Sequence, residues 1–292
     1  MKKTTTLKSL IQDKNISFLM EAHNALSARI AQESGFKGLW ASGLSISASL
    51  GLCDRNEASW TQILDIVEFM SDHTSVPILV DGDTGFGNFN NVRRLTKKLC
   101  QRGIAGVCLE DKLFPKVNSF ISGGNDLANA DEFCGKLRAA KDSQLDEDFI
   151  VVARVEALIS GLGMDEALDR AHKYHRAGAD AILIHSKRKD ASEVLEFKHL
   201  WKDQCPVIIV PTKYSSVETN LYKEAGISTV IWANHSLRAS IHAMKRITQQ
   251  IQKNENVSFI EKDIATLEEI FMLTGEAEAQ MAEDKYLLPT TA

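Results

Sequence analysis

Eight short apolar runs recur along this chain, and an amphipathic stretch follows each of them. The runs are Phe18–Ala22, Gly38–Ala41, Val76–Val80, Gly106–Leu109, Phe149–Ala153, Ala181–Ile184, Val207–Val210 and Thr229–Trp232. Helices are predicted over 25–34, 59–71, 90–102, 129–141, 165–177, 191–201, 217–225 and 237–252. Strands that are apolar on both faces and separated by helices indicate a parallel sheet covered on each side. Several predicted helices close on Gly shortly before the next strand: Ser34-Gly35, Arg102-Gly103, Ala177-Gly178 and Ala225-Gly226. Glycine readily takes the left-handed conformation that stops a helix at such a turn. Eight units with no Pro/Gly/Ser linker between them predict one α/β domain over 1–292, a (β/α)8 TIM-type barrel. It carries an N-terminal helix, a long loop at about 112–127 and a helical tail at about 255–292. A doubly wound sheet is the alternative. Its nucleotide-binding loops are missing: Gly82, Gly85 and Gly87 have the wrong order for a dinucleotide fingerprint, and Gly161 with Gly163 lacks a third glycine.

Composition narrows the function classes. A net charge of −5 leaves no footprint for nucleic acid or an anionic membrane. No apolar run approaches the roughly 20 residues of a membrane span. The opening Met-Lys-Lys-Thr-Thr-Thr-Leu-Lys has no apolar stretch after its lysines, so no signal peptide is read there. Five unclustered cysteines suggest reduced thiols and a cytoplasmic setting rather than zinc or a disulfide framework.

The chemistry is concentrated at strand ends. Val80 leads into Asp81-Gly-Asp83-Thr-Gly-Phe-Gly, and alternate residues on a strand face the same side, so both carboxylates are expected to aim at one spot. About 30 residues later a second strand ends in Glu110-Asp111-Lys112. Asp and Gly also suit turns in their own right. Two successive strand ends with the same carboxylate chemistry point instead to a cation that takes oxygen ligands, with Mg²⁺ the ordinary choice. In a barrel all strand ends meet on one face, and that face holds the chemistry. It also receives His23-Asn24, Ser42-Gly43, Arg154, Glu156, His185-Ser186-Lys187, Pro211-Thr212-Lys213 and Asn234-His235. Arg154 sits on an otherwise core-like strand, and charged groups are seldom buried without partners. Two readings follow: it faces an anionic ligand, or it makes a structural ion pair with Glu156 or Asp83. His185, at a strand end opposite these groups, is read as a substrate contact. Met164, Met244 and Phe271 lie on helical spacings and are read as packing residues.

Two connections are long. One runs from Ser45 to Ala58 and carries Asp54. The other runs from Lys112 to Leu127 and contains Pro115, Gly123 and Gly124. Most βα loops have about 2–6 residues, and longer ones are often lids or binding loops. Lys112-Leu-Phe-Pro-Lys116-Val-Asn118-Ser119 offers a stiffening proline, cations and hydrogen-bonding groups, as a lid over an anionic ligand requires.

Five segments carry a resemblance to a known family. They are Trp40-Ala-Ser42-Gly-Leu44, Asp81-Gly-Asp-Thr-Gly-Phe-Gly87, Glu110-Asp-Lys-Leu-Phe-Pro-Lys116-Val-Asn118-Ser119, Val152-Ala-Arg-Val-Glu-Ala157 and Ala179-Asp-Ala-Ile-Leu-Ile-His-Ser186. Over roughly residues 15–275 the chain resembles the phosphoenolpyruvate mutase family of the isocitrate lyase superfamily. The resemblance implies an isomerase that interconverts phosphoenolpyruvate and phosphonopyruvate, forming the C–P bond with which phosphonate biosynthesis begins. It implies a barrel whose last helix is exchanged between subunits of a homotetramer, and metabolic coupling to a phosphonopyruvate decarboxylase. By position it assigns Asp81, Asp83 and Glu110 to Mg²⁺, largely through water, with the ion chelating the substrate carboxylate and enolate oxygen. Ser42, Gly43 and Leu44 would donate to the pyruvyl part beside Trp40. Arg154, His185, Asn118 and Ser119 would surround the phosphoryl group, and Lys116 would add positive charge. Asp54 matches an essential aspartate, read as a nucleophile or phosphoryl acceptor, or as a positioning group. Phosphonopyruvate hydrolase is the nearest alternative; it carries Thr where this chain has Asn118. A carbon–carbon lyase of the isocitrate or methylisocitrate type would need a lid cysteine, which the stretch from Lys112 to Ser119 lacks.

Overall fold

A computed structural model describes residues 1–121 and 126–287. Gly123 and Gly124 of the long loop, and the tail from 288 onward, lie outside the described residues. Eight parallel strands close into a barrel in sequence order. They are β1 (Ser17–Ala22), β2 (Gly38–Ala41), β3 (Ile78–Asp81), β4 (Gly106–Glu110), β5 (Ile150–Val155), β6 (Ala181–Ile184), β7 (Val207–Ile209) and β8 (Thr229–Trp232). Closure is made by β1 against β8, with Phe18 opposite Val230 and Leu19 opposite Ile231. The helices are α1 (Lys3–Gln12), α2 (Ala25–Glu33), α3 (Gly43–Ser49), α4 (Trp60–Asp72), α5 (Phe89–Gln101), α6 (Ala130–Ser143), α7 (Ala157–Ser160), α8 (Gly163–Arg176), α9 (Ser192–Trp201), α10 (Thr219–Glu224), α11 (His235–Asn254), α12 (Leu267–Thr274) and α13 (Glu276–Tyr286).

Alternation along the strands makes two cores. Side chains of one parity fill the barrel interior, including Leu19, Leu79, Cys108, Val152, Leu183, Ile208 and Ile231, and Leu7 and Ile11 of α1 join them. Side chains of the other parity, such as Val80, Val107, Val151, Ile182 and Val230, pack outward with the helices. Helix starts are capped where the sequence supplies Asn or Ser. Asn24, Ser59 and Asn88 each close a reciprocal capping box on α2, α4 and α5.

The chain forms two compact units, Met1–Ser236 and a second that begins at Leu237. The first contains the closed barrel. The second is helical, and Met244 (57% exposed) and Phe271 (47% exposed) are surface residues there. The expectation that both are packing residues therefore does not hold, whereas Met164 packs against the outer core.

Two other expectations change. The segment from Ser45 to Ala58 is not all loop: α3 occupies its start, with Ser42 as the cap that accepts from the Ser45 amide. The strand ends at Asp81, and Asp83 lies beyond it at φ 48°, in the left-handed region. The period-two rule therefore does not align the two carboxylates. A turn does so instead. Gly82 donates to Cys108 O at 2.8 Å, Gly85 donates to Gly82 O at 2.8 Å, and Glu110 donates to Asp83 O at 2.7 Å. Gly82 is required by space, since a Cβ there would lie 2.6 Å from Val107 Cγ2 and 3.0 Å from Cys108 O. No described helix is long and apolar enough to cross a membrane.

Candidate active site

The carboxyl ends of the strands surround a cavity of about 60 Å³. Trp40, Ser42 and Leu44 reach it from β2 and the start of α3, Asp54 from the α3–α4 connection, and Asp81 and Glu110 from the ends of β3 and β4. Arg154 enters from β5 and His185 from the end of β6. Lys116, Asn118 and Ser119 enter from the 112–121 segment. Gly43 and Asp83 complete the predicted set from just behind this lining. A Cβ added at Gly43 would lie 3.2 Å from both Asp81 Oδ2 and Asp83 Oδ1, so the two carboxylates do face one spot. Val210, which sequence reasoning named only as the end of an apolar run, and Ala233, which it did not name, also line the cavity, together with Thr212 and Asn234, which it placed on this face without a role.

The 112–121 segment is seated on the cavity by paired charges. Lys116 Nζ lies 2.5 Å from Asp83 Oδ1 and 2.8 Å from Asp54 Oδ1. Asn118 Nδ2 donates to Asp54 Oδ2 at 2.6 Å. Burial alone would favour a neutral Lys116, but Asp83, Glu110, Asp54 and Asp81 outweigh it and hold the ammonium well above the ordinary lysine range. Burial likewise favours a protonated Asp54. Lys116, the Asn118 hydrogen bond and Arg154 reverse this and keep the carboxylate below its usual range.

A second cluster centres on Glu156, which is fully buried at the end of β5. Its Oε1 accepts from Arg154 Nε at 2.5 Å and lies 2.7 Å from His185 Nδ1. Its Oε2 accepts from Ser119 Oγ at 2.6 Å and lies 3.3 Å from Lys112 Nζ. Burial raises the Glu156 carboxyl, yet Arg154, His185 and Lys112 pull it well below the ordinary range. Burial lowers His185, and the neighbouring Arg154 lowers it further against the pull of Glu156. Arg154 makes the structural ion pair that one of its two sequence readings expected. It pairs with Glu156, and with Glu110 at 3.4 Å, but not with Asp83 as suggested, and its outer surface still lines the cavity.

Support for Glu156 comes from behind. Asp111 Oδ1 accepts the Glu156 amide at 2.9 Å, and its Oδ2 accepts from Tyr174 at 2.7 Å and Arg170 at 3.1 Å. The base of the long segment is closed by a Lys112–Leu127 bridge, with Leu113 donating to Asp126 O and Ala128 to Asp111 O. The sequence named Asp111 only as part of the strand-end run Glu110-Asp111-Lys112 and did not single out Asn56, Arg170 or Tyr174. The contacts by which they support the site span 27 to 63 residues, beyond any local pattern.

The acidic residues fit a divalent cation in charge and donor type. Burial raises Asp83 to about 8; Lys116 opposes the rise, and Asp81, Asp54 and Glu110 add to it. Glu110 is raised by burial despite Arg154 and Lys116, and its Oε1 is buried without a hydrogen-bond partner. An orphaned carboxylate oxygen in a crowd of negative charge is chemically suited to a hard cation. Among the described residues, however, no three His, Cys, Asp or Glu side chains form a direct metal cluster. Lys116 already occupies the Asp83 side, and Arg154 approaches Glu110. This spacing is compatible with the expected contact to an ion largely through water.

The sequence profile of the family described as phosphoenolpyruvate phosphomutase matches residues 7–252. The phosphoenolpyruvate phosphomutase of Tetrahymena pyriformis is 56% identical over 287 residues, covering 98% of this chain and 96% of that protein. The crystal structure of a phosphoenolpyruvate phosphomutase from Streptomyces platensis subsp. rosaceus is 43% identical, with a TM-score of 0.95 over 99% of this chain and 100% of that one. A solved phosphonopyruvate hydrolase in complex with oxalate and Mg²⁺ is 35% identical, with a TM-score of 0.93 and the same coverage. On its closed eight-stranded barrel and on these matches, the chain belongs to the phosphoenolpyruvate phosphomutase family, within the PEP mutase/isocitrate lyase superfamily.

Proposed function

We propose that this protein interconverts phosphoenolpyruvate and phosphonopyruvate. The C3–P bond forms as the bond from phosphorus to the enol oxygen breaks, with no net gain or loss of protons. The observation that carries this reading is a cavity at the strand ends whose lining combines cationic and acidic groups. Lys116, Arg154, Asn118 and Ser119 present cationic and hydrogen-bonding groups suited to a phosphoryl group, and the acidic groups that pair with them line the same space.

Phosphoryl transfer passes through a loose, metaphosphate-like state, so positioning and charge supply most of the catalysis. Arg154 is held by Glu156, which leaves its outer face to orient a phosphoryl oxygen. His185, which lines the same cavity, meets that group as a hydrogen-bonding partner. Lys116 and Asn118 clamp Asp54, so an anionic carboxylate can stand beside a dianion and receive or orient it. Asp81, Asp83 and Glu110 would hold Mg²⁺, largely through water; when bound, it supplies Lewis-acid stabilisation to the enolate and an anchor for the substrate carboxylate. The amides at the start of α3, beside Trp40, suit the pyruvyl part. Residues 112–121 exclude water, which would otherwise hydrolyse the migrating group.

The reading extends to a homotetramer that exchanges its last barrel helix and works in the cytoplasm, coupled to a phosphonopyruvate decarboxylase. Half-buried Phe18 and Trp232 stack with centroids 6.0 Å apart on the outer faces of β1 and β8, and they line a groove of about 620 Å³. A helix from a second copy would cover that groove.

Incubation of the protein with phosphonopyruvate and Mg²⁺, followed by phosphorus NMR, tests the activity. Phosphoenolpyruvate is the expected product. Pyruvate with inorganic phosphate would instead make the protein a hydrolase, and the absence of turnover would remove both.

A further inference from the structure

Asn56 lies in the connection between α3 and α4 at φ 57°, a left-handed conformation that Asn tolerates better than most residues. Its two amide arms reach two different parts of the site. Nδ2 donates to Asp83 Oδ2 at 2.7 Å, and Oδ1 accepts the backbone amide of Lys116, also at 2.7 Å. Two residues earlier, Asp54 receives Lys116 Nζ and Asn118 Nδ2. The 54–56 turn is therefore the seat on which the 112–121 segment rests, and its asparagine also grips a carboxylate of the acidic cluster.

We propose that Asn56 is a positioning residue that couples seating of the 112–121 segment to the acidic cluster through one side-chain amide. The inference deepens the mutase reading and rests on it. The bridge requires one donor and one acceptor on one short planar group. Aspartate could accept from Lys116 but would repel Asp83, and serine is too short to span both partners. The carboxamide also orients Asp83: with Oδ2 engaged by Asn56, Oδ1 is left facing Lys116 and the spot beside Gly43. Ordering the acidic cluster by a cation then favours the seated segment, and a seated segment holds Asp83 in place. By linkage, each event strengthens the other by the same factor.

Limited trypsin digestion of the full-length protein reads this coupling directly. Lys112 and Lys116 are buried when the segment is seated and become cleavable when it lifts. Cleavage after these lysines is followed with Mg²⁺ and oxalate, and again with EDTA. Mg²⁺ with oxalate is expected to slow cleavage of the native sequence. In N56G, where glycine keeps the left-handed backbone unstrained, that protection should fall by about tenfold, as the loss of two hydrogen bonds implies. N56D, which keeps the size of the side chain and the acceptor but not the donor, should also lose most of it. N56D is the deciding variant if N56G does not fold. Protection equal to the native protein in either folded variant would overturn the proposal. So would a native protein whose cleavage ignores Mg²⁺ and oxalate. Phosphorus NMR turnover by that same native protein separates failure of the coupling from failure of the mutase reading.

Discussion

Asn118 donates to Asp54 from the segment that covers the cavity, so its loss should be felt in chemistry rather than in metal binding. N118A is expected to abolish C–P bond formation while Mg²⁺ binding by calorimetry stays close to native; near-native turnover would defeat the assignment. D81A removes an acid whose Oδ2 also accepts the Gly43 amide at 3.3 Å. The Mg²⁺ concentration for half-maximal activity should then rise at least about tenfold, as loss of a charged partner worth 1.5–3 kcal/mol implies. Glu156 has a different signature. Its carboxyl is held well below the ordinary range, so its stabilising effect is complete above the unfolded value of about 4.3 and is lost as pH falls toward the folded value. Urea midpoints of the native protein should decline on acidification below about pH 5. E156Q should be less stable at neutral pH, because Arg154 and Lys112 lose their counter-ion, and its midpoint should change less over the same acid range. Parallel acid limbs would show that Glu156 is not the group responsible.

At the scale of elements, the Asp81–Gly87 turn decides where two carboxylates point. The sequence showed its residues but suggested the wrong geometry, because Asp83 is not on the strand. What aligns it is the fit of Gly82 against β4, together with three backbone hydrogen bonds. G82A would drive a methyl into Val107 and the Cys108 carbonyl and should cost about 1–3 kcal/mol. A lowered urea midpoint accompanied by weakened Mg²⁺ affinity is expected; unchanged values for both would remove the turn from the explanation. Helix α3 shows the same limit of local reading. Ser42-Gly-Leu-Ser-Ile-Ser carries few strong helix formers, and its cap lies on a strand end that already read as a site.

For the whole molecule, the stacked Phe18 and Trp232 form a groove on the barrel's outer face that the proposed helix exchange would fill. W232D should shift the mass measured by light scattering below that of the native assembly, with the barrel's circular dichroism retained. A native protein that is already monomeric would dismiss helix exchange as the occupant.

The alternation of apolar runs with amphipathic stretches determined the barrel, because period-two and period-3.6 patterning are local properties that a chain carries wherever it goes. Gly38–Ala41, Ala181–Ile184 and Thr229–Trp232 were legible to the residue for that reason. The strand ends also declared most of the cavity lining, since the topology of a closed parallel barrel sends every one of them to a single pole. Tertiary structure alone decided the pairing. Nothing local announces that Asn56 would meet both Asp83 and Lys116, or that Asp111 would support Glu156 from beneath. Those contacts arise because closing the barrel brings distant loops within hydrogen-bond reach, where burial makes an unpaired polar group costly and so selects the partners.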